Sequence, residues 1–378
     1  MRGAVIGIVI GLVVGVVIGA TVIAPRLTSP RQQAGLGNAD GGNSPAPPAP
    51  LSPAKPKPSV HWKMASAYPA SLPLLGALAK RLETKIWRVS GGGIEIKFFA
   101  PEALVPSREI FDAVASGAID AAFSSPGLWS GKIPALQLFA AAPFGPGPAE
   151  NMAWVYLGGG RELFEEIYRK NGLHGVFCGL ATAEAGGWFR KPIHVLEDFK
   201  GLNMRILGLG AKVMEKLGVT TSGFSEGDLF MALESGTIDA AEFSMPAIDF
   251  QLGFHEMSKH YYFPGWQQPS TFFDLMINLD KWNALSSTAK SRIEAVCGDN
   301  VRHGLAESEA MQFTALKEFT AKGIAIHRWP AEIMEALDGA WREVAAEEAA
   351  ADGDFRRVWN SLTSFREDYA IWKELGGP

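Results

Sequence analysis

The sequence predicts an α/β fold of two lobes of like construction, joined by a hinge and followed by C-terminal helices. Three observations predict it. The first is strand–helix–strand grammar where the globular part begins: residues 60–67 read as a strand, 72–89 as an amphipathic helix, Gly91 to Gly93 as a stop, and 94–100 as a second strand. The second is an internal echo, IFDAVASGAIDAAFS (residues 110–124) against LFMALESGTIDAAEFS (residues 229–244). Each copy reads as a helix, a Ser-Gly stop and a short strand, and Gly117 and Gly236 suit the left-handed position after a helix. The third is that each copy follows another strand–helix unit, residues 62–88 in one case and LNMRILGLGAKVMEKL (residues 202–217) in the other. Two such lobes leave a cleft at the carboxyl ends of their strands, where a ligand sits and hinge closure buries it.

Before the first strand lie two segments of different character. Met1 and Arg2 precede an apolar run from Ala4 to Pro25, long enough to cross a hydrocarbon core of roughly 30 Å as a helix. Residues 1–26 therefore predict a membrane anchor or an export signal, the length favouring an uncleaved anchor and Val22-Ile23-Ala24 leaving a cleavage site open. Gly3, Gly7, Gly11, Gly15 and Gly19 fall on one helix face, which is either a homodimer seam or the ordinary Gly/Val richness of an apolar anchor. Residues 27–58, ending in SPAPPAPLSPAKPKP, are a Pro/Ala-rich tether without the means to form a core. The expected divisions of the remainder are a first lobe at 59–182, a second at 183–269, and a return to the first lobe with C-terminal helices at 270–378.

Composition narrows the function. A net charge of −5 with no basic cluster excludes a nucleic-acid footprint. Cys178 and Cys297 have no metal-ligand spacing; a single bridge is open, and two buried free thiols are the favoured expectation from the burial habits of cysteine. No nucleophile elbow, phosphate loop, H-E-x-x-H or dinucleotide fingerprint occurs, and the seven histidines are scattered.

Several motifs in one order resemble a known family. GGWFRKPIHVLEDFKGLNMRILGLGAKVMEKLG (residues 186–218), ALESGTIDAAEF (232–243), YYFPGWQQP (261–269) and APFGP (142–146) with the glycines at 158–160 are similar to the solute receptors of tripartite ATP-independent (TRAP) transporters, of the DctP type, in their 2-oxoacid and lactate group. The resemblance runs from about Trp62 to Trp372. It implies a periplasmic-binding-protein-like fold, a small 2-oxo or 2-hydroxy monocarboxylate as ligand, membrane permease subunits as partners, an extracytoplasmic location and no catalysis.

The resemblance also assigns residues. Arg205 falls where the family grips the ligand carboxylate, a task for which a planar guanidinium offers two parallel charge-assisted hydrogen bonds. Glu242, the backbone carbonyl of Phe243, and Gln268 match ligands of a Ca²⁺ or Na⁺ ion that bridges to the substrate. Phe243 replaces the usual Trp and so removes an indole donor from the pocket wall. Glu184 stands where relatives carry Gln; a second carboxylate there favours a divalent ion or, without metal, a ligand bearing an amine. Tyr68, Trp129 and Phe144 are the expected aromatic wall from the first lobe. Two rival readings stand beside this one: a tethered sensor signalling through the glycine-seamed anchor, and a metal-dependent enzyme acting on 2-oxoacids, which lacks a His or Lys beside the motif residues.

Overall fold

The computed structural model describes residues 58–224 and 226–376, without the side chains of residues 226–228. The expected anchor and nearly all of the tether lie outside them, and among the described residues no helix is long and apolar enough to cross a membrane.

The chain builds two sheets. Strands β1 (Val60–Ser66), β2 (Ile94–Phe99), β3 (Ala121–Ser124), β4 (Leu173–Ala181) and β10 (Thr271–Asn278) form the first, in the order β2-β1-β3-β10-β4. The second holds β5 (Gly187–Phe189), β6 (Asn203–Arg205), β7 (Thr220–Ser222), β8 (Ala240–Ala241), β9 (His260–Phe263) and β11 (Ala325–Arg328). Its order, from the other edge, is β7-β6-β8-β5-β9-β11. The echo in sequence is thus an echo in topology. In each sheet three parallel strands are followed by one that runs against them, β10 in the first and β5 in the second, and then by one that runs with them again, β4 and β9.

The repeated motif keeps its local chemistry as well. Gly117 and Gly236 adopt φ of 79° and 76° at the ends of the helices Ile110–Ala115 and Glu226–Ser235, a backbone that glycine enters without Cβ strain. The aspartate that follows ties the neighbouring parallel strand. Asp120 accepts the Lys63 backbone N–H at 2.8 Å, and Asp239 accepts that of Asn203 at 3.0 Å.

Burial follows from the patterns. Helix α1 (Gly76–Val89) presents Leu78, Leu82 and Ile86, at helical spacing, to the first sheet. It begins at Gly76 and not at Leu72 because Pro73 disfavours helical backbone at the residue before it and Leu74 takes a left-handed φ of 62°. All eight residues of β10 are buried, as expected of a central strand covered on both faces.

Cys178 of β4 and Cys297 are joined in a disulfide, which corrects the expectation of free thiols. The pairing arises because helix α2 (Ser287–Ala321) lies across β4 and brings together two fully buried positions separated by 119 residues. That helix also serves the second lobe, where its Ala315 and Phe319 join the aromatic cluster around Trp188 and Tyr261.

Candidate functional site

Two short segments carry the chain between the sheets, residues 182–186 from β4 to β5 and residues 264–270 from β9 to β10. They hold each other: the Glu184 N–H donates to the Gln268 carbonyl at 3.1 Å, and the Gln268 side-chain amide donates to the Glu184 carboxylate at 2.8 Å. Thr271 accepts a second bond from the same amide at 2.6 Å. Both expected metal-ligand positions in these segments are therefore side by side, although their codons lie far apart.

The second sheet supplies the rest. Arg205 ends β6 and Glu242 immediately follows β8, which pair in parallel register, so both side chains emerge at the carboxyl ends of adjacent strands. The Arg205 guanidinium stands 3.6 Å from the Glu242 carboxylate, donates to the Glu242 backbone carbonyl, and lies over the Phe243 ring, 5.2 Å from its centroid. Glu184, Arg205 and Glu242 are 8%, 7% and 6% exposed. The Arg205 Nε is buried without a hydrogen-bond partner, a demand that a bound carboxylate would satisfy.

Charge in this wall is unbalanced. Burial pushes the Glu184 carboxyl well above the usual carboxylate range; the Glu242 charge and a hydrogen bond to Glu242 raise it further, Asp249 adds to this, and Arg205 opposes it. Burial likewise pushes Asp249 up to about 7 despite hydrogen bonds from Trp188 and Tyr261. One guanidinium thus faces two carboxylates with a third behind them. Oxygen donors of this kind, gathered where water is scarce, suit a hard cation, and Gln268 adds an amide oxygen to the set. Among the described residues no cluster of three His, Cys, Asp or Glu offers a self-contained metal site, so an ion here needs oxygens from the amide, the backbone or the ligand.

These residues line one cleft of about 480 Å³, with Tyr68, Leu128 and Phe273 on the first-lobe side and Leu207 and Gly208 opposite. Burial, then the charges of Glu184 and Asp274, hold the Tyr68 hydroxyl in its neutral form. Of the expected aromatic wall, Tyr68 lines the cleft; Trp129 and Phe144 do not. Trp129 is 4% exposed and packs on Phe111, ring centroids 5.8 Å apart, because the 3₁₀ turn Pro126–Trp129 rotates it inward and presents Leu128 instead. Phe144 stacks on Trp266 at 5.8 Å. Gln137, Ser125, Ser244 and Gln267 also line the cleft and were not anticipated; Ser244 and Gln267 fall inside quoted motifs that gave them no role, and Gln137 and Ser125 fall outside those motifs. A second groove of about 580 Å³ beside β4 is lined by Met152, Tyr156, Val301 and Leu305. Its two arginines, Arg161 and Arg302, are already paired with Glu165 and Asp299, so it lacks a free cation for an anionic ligand.

Comparison with known proteins places this geometry. Residues 64–352 match the family model described as bacterial extracellular solute-binding protein, family 7. The chain is 32% identical over 319 residues to a monocarboxylate 2-oxoacid-binding periplasmic protein of Nostoc sp., covering 84% of this chain and 87% of that one. A TRAP transporter solute-binding protein from Bordetella bronchiseptica, whose structure holds copurified calcium and picolinate, superposes with a TM-score of 0.81 at 34% identity, covering 84% of this chain and 95% of that one. Another from Pseudoalteromonas atlantica, with bound sodium and pyruvate, gives a TM-score of 0.80 at 30% identity over 85% and 97% of the two chains.

Proposed function

The chain belongs to the bacterial extracellular solute-binding proteins of family 7, and from that premise we propose that its cleft binds a small 2-oxo or 2-hydroxy monocarboxylate together with a Ca²⁺ or Na⁺ ion, for delivery to the permease subunits of a TRAP transporter. The observation that carries the reading is the buried, partly unpartnered guanidinium of Arg205 set against the carboxylates of Glu242 and Glu184 in one cleft. Arg205 orients the ligand carboxylate through paired hydrogen bonds. Glu242, the Phe243 carbonyl, Gln268 and Glu184 would hold the ion, which supplies positive charge for the ligand's 2-oxygen and relieves the repulsion between the carboxylates. Tyr68 closes the pocket from the first lobe.

A receptor is the reading the family supports, and in it the charged groups of the cleft, one guanidinium against two carboxylates, serve to hold a ligand and an ion. As an extracellular solute-binding protein it works outside the cytoplasm, and the apolar run at residues 4–25 supports retention at the membrane surface. Fractionation tests the retention: recovery of the chain only in the soluble fraction would refute it. Calorimetry tests the ligand. Pyruvate titrated into protein reloaded with calcium should bind with one-to-one stoichiometry, whereas absence of binding by pyruvate, lactate and longer 2-oxoacids, with either ion, sinks the reading.

A further inference from the structure

We propose that Gln137 is a positioning residue that fastens the first lobe onto the second across the closed cleft, with Gly208 as its seat. The inference rests on the receptor reading above, because fastening has a purpose only in a cleft that closes on a ligand. Gly208 opens the helix Gly208–Lys216 directly after the strand that carries Arg205, and it takes a φ of 61°. A Cβ built there would lie 1.9 Å from Gln137 Nε2, 2.4 Å from its Oε1 and 2.5 Å from its Cδ. The amide of Gln137 therefore fills the space that any side chain at position 208 would need. Gln137 comes from the other lobe, where it begins the short helix Gln137–Ala140 packed beside β10. Both residues line the same cleft as Arg205 and Glu242.

Glycine meets two demands here at once, a left-handed backbone and room for a neighbour's amide. The neighbour is the far end of a long, flexible side chain, so the contact forms and breaks by rotamer change while the backbone of each lobe stays rigid. A contact present only in the closed form stabilises that form alone. It should slow ligand release and leave capture unaffected, in keeping with the rule that related complexes differ mainly in their dissociation rates.

Stopped-flow tryptophan fluorescence on the full-length protein, with pyruvate as probe and calcium present, reads this directly. Gln137→Ala should raise the dissociation rate about threefold, the order given by losing a handful of van der Waals contacts across the cleft, with an unchanged association rate. Gly208→Ala should do the same by placing a methyl group in the seat. The double variant separates a contact from simple backbone strain. If the amide is what the methyl displaces, Gly208→Ala adds nothing in the Gln137→Ala background; if strain is the cause, the full effect persists and the proposal falls. A wild-type protein that binds none of the 2-oxoacids would refute the receptor reading separately. Oxidative cross-linking of the Gln137→Cys/Gly208→Cys pair reads the contact itself: the cleft closes transiently without ligand, so prolonged oxidation should trap the pair, and pyruvate should speed the reaction in a protein that binds it; a cross-linking rate that bound pyruvate leaves unchanged overturns the proposal.

Discussion

Glu184 and Gln268 are bonded to each other twice, backbone to backbone and side chain to side chain, and each sits in one of the two short segments that pass between the sheets. Two of the four residues proposed to hold the ion thus lie where the chain passes between the lobes. Ion binding and closure then share a single free energy, and by linkage ion and ligand must raise each other's affinity by the same factor. Chelation should weaken pyruvate binding by the wild-type protein, and calcium should restore it better than sodium. Glu184→Gln, which removes one buried charge, should narrow the difference between the two ions. Affinity untouched by chelation would dismiss the ion from the mechanism.

Replacing Arg205 by Lys keeps the charge and loses the two-pronged geometry. Calorimetry should show binding weakened by about 1.5–3 kcal/mol, the worth of a hydrogen bond to a charged group, with thermal stability little altered. An unchanged affinity would remove Arg205 from the site.

Asp274 lies at the centre of β10, fully buried, and accepts hydrogen bonds from Tyr168 at 2.9 Å and Ser124 at 3.2 Å. Burial pushes its carboxyl up to about 7, against the effect of both bonds. Its folded-state value is above its unfolded one, so its contribution to stability is complete at pH below about 4 and is lost as pH rises toward about 7. Burying the charged form costs up to ~4 kcal/mol by this difference. Urea unfolding of Asp274→Asn should show a flatter decline between pH 4 and 7 than wild type. Parallel pH profiles would show that Asp274 does not titrate in that window.

The Cys178–Cys297 bridge pins helix α2 to β4, and neither cysteine lines the cleft. Converting both cysteines to Ser should lower stability by about 2–5 kcal/mol, the usual range for removing a native disulfide from a long loop. Pyruvate affinity at 25 °C should be unchanged. A large loss of affinity in a folded variant would mean that the bridge tunes closure.

What the sequence disclosed, it disclosed through local pattern. The echo around Asp120 and Asp239 was readable because helix stop, turn and strand are contiguous in the chain. Arg205 and Glu242 were readable because each lies inside a dense motif, and parallel pairing of β6 with β8 brings them together. Gln137 carried no such signal: the residue it packs against is Gly208, from the other lobe, and only the folded chain brings them together. Trp129 misled because a 3₁₀ turn advances about 120° per residue, so an error of one position exchanges cleft for core. The cysteines were opaque for a related reason, since a separation of 119 residues contains no trace of the helix that lies across β4.

Strand β10 sits between β3 and β4, yet it is made after every strand of the second sheet except β11. Until about residue 278 has emerged, β3 and β4 have no common neighbour, and the first half of the chain is left with a three-stranded piece of sheet, a lone strand β4 and a row of open backbone groups. Neither lobe is therefore an autonomous folding unit, and a chain cut between β9 and β10 should remain sensitive to protease along its first half. For a protein that works outside the cytoplasm this late keystone is useful. A nascent chain that lacks β10 cannot close its first sheet, so completion of the fold waits for that strand and the helices after it, the parts of the chain made last.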